Sequence, residues 1–316
     1  MTQHRSIPLI ATALVAVLLT GCAHMAPPAE APFRAVYYRS SYAVDFDVAY
    51  GEHERHRMDL YLRGAWHAPG PKINVRMEGP QPPTIVFSYG SSWFFGDKRT
   101  WEHFISPFLQ RGYNVINLNY RVKMGIPKAV QDVRQALIHL AEHNDRYALD
   151  LERVVLVGAS AGAHMWTLLG AANNSGKEKF ALPDSLGIAG VVNISGGGAR
   201  CGAIYHLLNK HENPWWRGVA ASLVEDLSQV DAIMDEHCPV KYLDEGDPPF
   251  FLTYGEKDPF ITSALMDEIV GAMERHGISH EVASYPDSGH GFLGKDYDAM
   301  FQRIFAFLDR VVPHTW

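Results

Sequence analysis

A serine flanked by two glycines, Gly158-Ala159-Ser160-Ala161-Gly162, lies near the middle of the chain, and two candidate partners follow it. Asp258 stands in Gly255-Glu256-Lys257-Asp258-Pro259, and His290 in Ser288-Gly289-His290-Gly291-Phe292. A serine hydroxyl attacks a carbonyl only when a base removes its proton, and the base must be held in one tautomer by a carboxylate. Serine, acid and histidine in that chain order, each after a strand, therefore point to hydrolysis through an acyl-enzyme.

Other acids and histidines compete for these roles less well. Glu256 shares the Asp258 loop, Asp287 is close to His290 but on its own loop, and Asp247 precedes a strand instead of following one. His164 is expected to pack behind the serine, and most of the remaining histidines to lie on helices or the surface.

The elements around these residues are legible from pattern. Val154, Val155, Leu156 and Val157 form an unbroken branched apolar run, as in a strand of a parallel sheet buried on both faces. Met165, Trp166, Thr167, Leu168 and Leu169 continue as a helix after the serine. A strand that turns sharply into a helix needs Gly158 and Gly162 for room and leaves Ser160 exposed in a strained conformation, the nucleophile elbow. The N–H of Ala161, at the helix N-terminus, then points where an oxyanion would form.

Strands are predicted over residues 36–50, 57–62, 84–88, 113–120, 188–195, 249–255 and 281–285. Helices are predicted over 99–110, 128–144 and 263–276, with a last one through 301–311. Alternating strands and helices imply an α/β fold with a mostly parallel central sheet and helices on both faces. One interruption, residues 196–248, falls between two strands that should be neighbours, and is read as a cap or pocket wall. It carries Trp215, Trp216 and a helical stretch near 219–234, and Gly196, Gly197 and Gly198 at its start read as a flexible hinge.

The motifs resemble the α/β-hydrolase superfamily, in the hormone-sensitive-lipase, arylformamidase and carboxylesterase branch. Beside the serine motif the likeness is carried by Asn119-Tyr120-Arg121, by Pro127 with Gln131-Asp132-Val133, by Asp59-Leu60-Tyr61-Leu62 and by Asp247-Pro248-Pro249-Phe250. It covers nearly the whole mature chain from about residue 40. The resemblance implies an α/β-hydrolase domain over residues 36–316, with Ser160 as nucleophile, Asp258 as acid and His290 as general base.

There is one departure. Such families carry His-Gly-Gly-x-Trp after the third strand, where backbone N–H groups build the oxyanion hole; this chain has Tyr89-Gly90-Ser91-Ser92-Trp93. An N–H survives the change of glycine to serine, so Gly90, Ser91 and Ala161 are the expected donors, and the Ser91 or Ser92 hydroxyl could add one. Trp93, Trp215 and Trp216 are candidate walls of an apolar substrate pocket.

The length of 316 residues with 47% hydrophobic content suits one large domain, and a net charge of −7 argues against nucleic acid as a partner. Arg5 followed by an apolar run over 7–19 reads as a secretory signal. Leu19-Thr20-Gly21-Cys22 resembles the bacterial lipobox, which implies a signal peptide over 1–21, a lipid anchor at Cys22 and a tether over 22–35. Ala23 after the cysteine implies sorting to the outer membrane, facing the periplasm; an ordinary cleavable signal with an unrelated cysteine is the alternative. In an oxidising compartment Cys201 and Cys238 either pair or stay as two buried thiols.

No metal or cofactor is expected. His139 and His143 lie one helical turn apart, but the catalytic zinc pattern needs a glutamate directly after the first histidine. The substrate expected is a small carboxylic ester. An amide, formamide or peptide bond would use the same groups, and a non-catalytic envelope binding protein on this fold is the reading that the altered oxyanion turn favours.

Overall fold

The computed structural model describes residues 42–63 and 81–313. The expected signal peptide, Cys22, the tether and the first residues of the predicted strand 36–50 lie outside these described residues. Eight strands form one sheet: β1 (Tyr42–Ala49), β2 (Arg57–Arg63), β3 (Pro83–Ser88), β4 (Asn114–Leu118), β5 (Asp150–Ala159), β6 (Ile188–Ile194), β7 (Phe250–Gly255) and β8 (His280–Tyr285). Their order is β1-β2-β4-β3-β5-β6-β7-β8. The β1/β2 and β2/β4 pairs are antiparallel and every other pair is parallel.

Helices interleave with the strands: α1 (Glu102–Gln110), α2 (Ile126–Glu142), α3 (Asn144–Tyr147), α4 (Ala161–Ala172), α5 (Cys201–Asn209), α6 (Pro214–Ala221), α7 (Val230–Glu236), α8 (Ser263–Arg275) and α9 (Lys295–Val311). Neighbouring residues of a strand point to opposite faces, which shows where the helices sit. A Cβ on Gly170 of α4 would meet Val191 and Phe250, whereas one on Gly190 would meet Phe307 of α9. Phe251, the residue after Phe250, also packs on Phe307, with ring centroids 5.8 Å apart. Helices α4 and α9 thus cover opposite faces, and β3 and β7 are buried along their whole length. On the α9 face, Phe104 and Phe108 of α1 pack edge-on or tilted against Phe301.

Several boundaries differ from those predicted. The helix predicted from Arg99 opens as a 3-10 turn over Lys98–Trp101, capped by the Asp97 carboxylate, before α1 begins. Helix α2 starts at Ile126 and stops at Glu142. The stretch expected as one helix near 219–234 is two, α6 and α7. The Asp226 carboxylate between them accepts from the Ser228 N–H and starts a new 3-10 turn, Leu227–Gln229.

At two of the three glycines of the expected hinge, Gly196 and Gly198, the chain is closely packed, whereas a Cβ on Gly197 would meet only Ile261 at 3.7 Å. A Cβ on Gly196 would collide with Ala163 and the Asn193 side chain, and one on Gly198 with Ile269. The Gly196 N–H donates to Asn193 Oδ1 at 2.7 Å, and the Val240 N–H to the Gly198 carbonyl at 2.9 Å. These glycines let the inserted segment press against α4 and α8.

Candidate active site

In parallel sheets, loops at the carboxyl ends of strands form the ligand crevice. Here Gly90 follows β3, Ser160 follows β5, Asp258 follows β7 and His290 follows β8. In the sheet register, Ser88 of β3 is level with Gly158 of β5, and Gly158 with Asn193 of β6.

The turn from β5 into α4 has the steric character expected from its glycines. Ser160 takes φ 50° and ψ −115°, a conformation a residue with a Cβ rarely adopts. A Cβ on Gly158 would fall on the Gly162 backbone, and one on Gly162 on the carbonyl of Ser88. The Ser160 N–H donates to the Ile194 carbonyl at 2.7 Å, which ties the turn to the end of β6.

The three candidate residues form one hydrogen-bonded chain. Ser160 Oγ lies 2.8 Å from His290 Nε2, and His290 Nδ1 lies 2.7 Å from Asp258 Oδ2. A carboxylate can only accept, so Nδ1 carries the proton, Nε2 is left as acceptor, and the Ser160 hydroxyl donates to it. The other carboxylate oxygen, Asp258 Oδ1, accepts from the N–H groups of Phe260 at 2.8 Å and Ile261 at 3.0 Å. Asp258 is buried, and the Phe260 ring packs edge-on to the His290 imidazole at 5.3 Å. The competing acids are engaged elsewhere: Asp287 pairs with Lys257, and Glu256 accepts from the Ser284 hydroxyl.

The stretch after β3 packs directly on the serine. A Cβ on Gly90 would stand 2.7 Å from Ser160 Cβ and 2.8 Å from the Ala159 carbonyl oxygen. Three consecutive residues then take positive φ, Ser91 at 148°, Ser92 at 54° and Trp93 at 54°. Each costs on the order of 1–3 kcal/mol and persists only where surrounding contacts impose it. The Ser91 hydroxyl donates to the Phe95 carbonyl, and so is not the extra oxyanion donor that the sequence suggested.

Above Ser160 lies a cavity of about 1190 Å³, walled by Trp93, Phe94, Trp101, Phe104, Trp215, Trp216, Phe260 and Phe292, with Ser91 and Ala161 also on its surface. All three tryptophans expected at the pocket therefore border it, Trp216 buried and Trp215 half exposed. The inserted segment supplies one wall through Cys201, Ile204 and Leu208 of α5. Cys201 and Cys238 are joined as a disulfide, with Cα atoms 5.4 Å apart.

Three polar groups line the cavity: His164, which the sequence expects to be packed, and the Ser195 hydroxyl and Trp93 indole N–H, which no motif announces. His164 is fully buried beside Trp93, and its burial, reinforced by nearby His237, lowers its pKa to about 3. Ser195 Oγ and Trp93 Nε1 are buried on the cavity surface without a hydrogen-bond partner. A positive φ of 51° at Ser195 puts it in place, and no local pattern in the sequence announces that. Among the described residues, no group of three or more histidines, cysteines or acids is arranged to hold a metal ion.

Known proteins resemble this chain over most of its length. It is 28% identical over 268 residues to a probable isoprenylcysteine alpha-carbonyl methylesterase of Oryza sativa subsp. japonica, covering 80% of this chain and 58% of that protein. The chain spans little more than half the length of the curated relatives it matches, 58%, 52% and 56% for three of them. Among solved structures, a truncated carbohydrate esterase from gut microbiota superposes with TM-score 0.65 and 20% identity, covering 84% of this chain and 96% of that one. Esterase B from Lactobacillus rhamnosis superposes with TM-score 0.66 and 17% identity, covering 95% and 96%. These likenesses establish the fold as that of the α/β-hydrolase esterases. The BD-FAE family model matches residues 73–270, well over half of the sequence. The chain belongs to the BD-FAE family, an α/β-hydrolase esterase family.

Proposed function

We propose that this protein is a serine hydrolase that cleaves carboxylic esters through an acyl-enzyme. His290 Nε2 takes the Ser160 proton as Oγ attacks the ester carbonyl carbon. The tetrahedral oxyanion is held by the N–H groups of Ala161 and of Gly90 or Ser91. As it collapses, His290 passes the proton to the leaving alkoxide, which departs as the alcohol. Water enters, loses a proton to His290 and attacks the acyl carbon, and the acid leaves with Ser160 restored. Asp258 keeps Nδ1 protonated and stabilises the imidazolium formed in each half.

One observation carries the reading: the Ser160–His290–Asp258 chain, with both links under 3 Å, opens into a large apolar cavity. The esterase relatives support it. A wall rich in aromatic side chains favours an ester with a bulky apolar acyl or alcohol group.

Labelling of the purified protein by a fluorophosphonate probe, beside Ser160→Ala, tests the mechanism. Labelling and ester turnover that both vanish in the variant are expected. Turnover that survives in Ser160→Ala would refute it.

We further propose that the protein is anchored by a lipid on Cys22, on the strength of the apolar run and Leu19-Thr20-Gly21-Cys22 that end the leader. Incorporation of radiolabelled palmitate that is lost in Cys22→Ser is the expected outcome.

A further inference from the structure

We infer that Arg55 is a positioning residue for the oxyanion turn, locking Tyr89 and Gly96 together so that the intervening backbone keeps its N–H groups at Ser160. The inference rests on the serine-hydrolase reading above.

The turn needs such a lock. Ser91, Ser92 and Trp93 all adopt backbone conformations that side chains disfavour, so the unrestrained segment would relax away from the serine. Its two ends meet at the Tyr89 ring, where a Cβ on Gly96 would stand 2.6 Å from the ring edge. Arg55, on the turn between β1 and β2, reaches this junction. One nitrogen, Nη2, donates to Tyr89 Oη at 2.6 Å and to the Gly96 carbonyl at 2.8 Å. Its Nε donates to the Tyr120 carbonyl at 2.8 Å, just past the end of β4.

Tyr120 closes the arrangement from the other side. Its hydroxyl donates to the Tyr89 carbonyl at 3.0 Å, and the two rings stack with centroids 4.6 Å apart. The Tyr89 hydroxyl in turn donates to the Gly96 carbonyl at 3.3 Å. Gly90, the next residue after Tyr89, is the one packed on Ser160.

The chemistry suits arginine alone. Among the described residues Arg55 forms no ion pair; the hydrogen bonds above commit its charge to three neutral oxygens. A planar guanidinium addresses Tyr120 through one nitrogen and Tyr89 and Gly96 through another, which a single ammonium cannot reproduce. Tyr89, standing where the resembled families carry histidine, is thus the acceptor that lets a distant arginine hold the turn.

The test compares Arg55→Met, Arg55→Lys and Tyr89→Phe with the unaltered protein, using p-nitrophenyl acetate and an alkyl trifluoromethyl ketone, which forms a tetrahedral oxyanion on the serine. For Arg55→Met, kcat should fall roughly 10- to 100-fold with KM within about threefold, because the donors act only on the transition state. The inhibition constant for the ketone should rise by a similar factor. Arg55→Lys should restore only part of the loss. Tyr89→Phe keeps the ring stacked on Tyr120 and removes only the hydroxyl, so it reports on the lock even if Arg55→Met does not fold; it should lower kcat about 3- to 10-fold. An active parent protein whose Tyr89→Phe and Arg55→Lys variants keep kcat and ketone affinity within twofold would overturn the lock alone. A parent protein that neither turns over the ester nor reacts with a fluorophosphonate would remove the underlying reading, and this inference with it.

Discussion

Gly90 lies so close to Ser160 that a Cβ added to it would stand 2.7 Å from the serine's own Cβ. The loop after β3 and the elbow after β5 thus meet without space for a methyl group, as the oxyanion site proposed between them requires. The identity of residue 90 should therefore decide activity without contributing to the core. Gly90→Ala is expected to lower kcat at least about 10²-fold, the usual effect of losing one oxyanion donor, while the far-ultraviolet circular dichroism stays unchanged. Full activity in Gly90→Ala would show that the oxyanion is held elsewhere.

Asp258 accepts two backbone N–H bonds through one oxygen and His290 through the other. Asp258→Asn would put an amide against Nδ1 and favour the tautomer in which Nε2 carries the proton and cannot receive one from Ser160. We expect kcat to fall by about 10³–10⁴ with little change in KM. Steady-state kinetics on a chromogenic ester check this, and a loss below tenfold would reassign the acid.

His164 is a buried neutral histidine, its pKa lowered from 6.5 to about 3 chiefly by burial. The unfolded chain takes up this proton as pH falls below about 6.5, whereas the folded protein resists it until near pH 3. Its stabilising contribution is thus complete above pH 6.5 and is lost as the pH falls through that window. Urea unfolding at pH 7 and pH 4 should show a smaller acid-induced loss in His164→Phe than in the unaltered protein, whatever the variant's absolute stability. His237, also lowered by burial, keeps some of the slope in both. Identical slopes would show that His164 is not buried neutral.

The Cys201–Cys238 disulfide closes a loop across 37 positions and puts Cys201 on the cavity wall. By the chain-entropy relation it contributes up to about 4 kcal/mol. Replacing both cysteines by serine should lower the unfolding midpoint and raise KM more than it lowers kcat, since the wall loosens while the serine, aspartate and histidine stay on the turns after β5, β7 and β8. A variant with unchanged midpoint and KM would mean the bridge restrains nothing that the packing of Gly196 and Gly198 does not already hold.

Much of this protein is legible in its sequence, because the relevant forces act over short distances along the chain. Unbroken apolar runs such as 154–157 mark buried parallel strands, and a serine between glycines after one of them marks the elbow, since only those glycines fit that corner. Strand-end loops made Ser160, Asp258 and His290 legible as candidates in their chain order. The resemblance to the α/β-hydrolases also marked the turn at Tyr89 to Trp93 as unusual.

Tertiary structure alone decided the rest. Residues 55, 89 and 120 meet because β2 lies beside β4 and β4 beside β3, an order that no periodicity in a single strand encodes. The same holds for the unpartnered Ser195 and Trp93 groups on the cavity wall, and for the glycines at 196 and 198, which look like a hinge in sequence and are packing contacts in space. Local sterics and side-chain periodicity are properties of a stretch of chain. Which stretches touch depends on the summed burial of all of them, and the Arg55–Tyr89 contact exists only after that sum has settled the sheet.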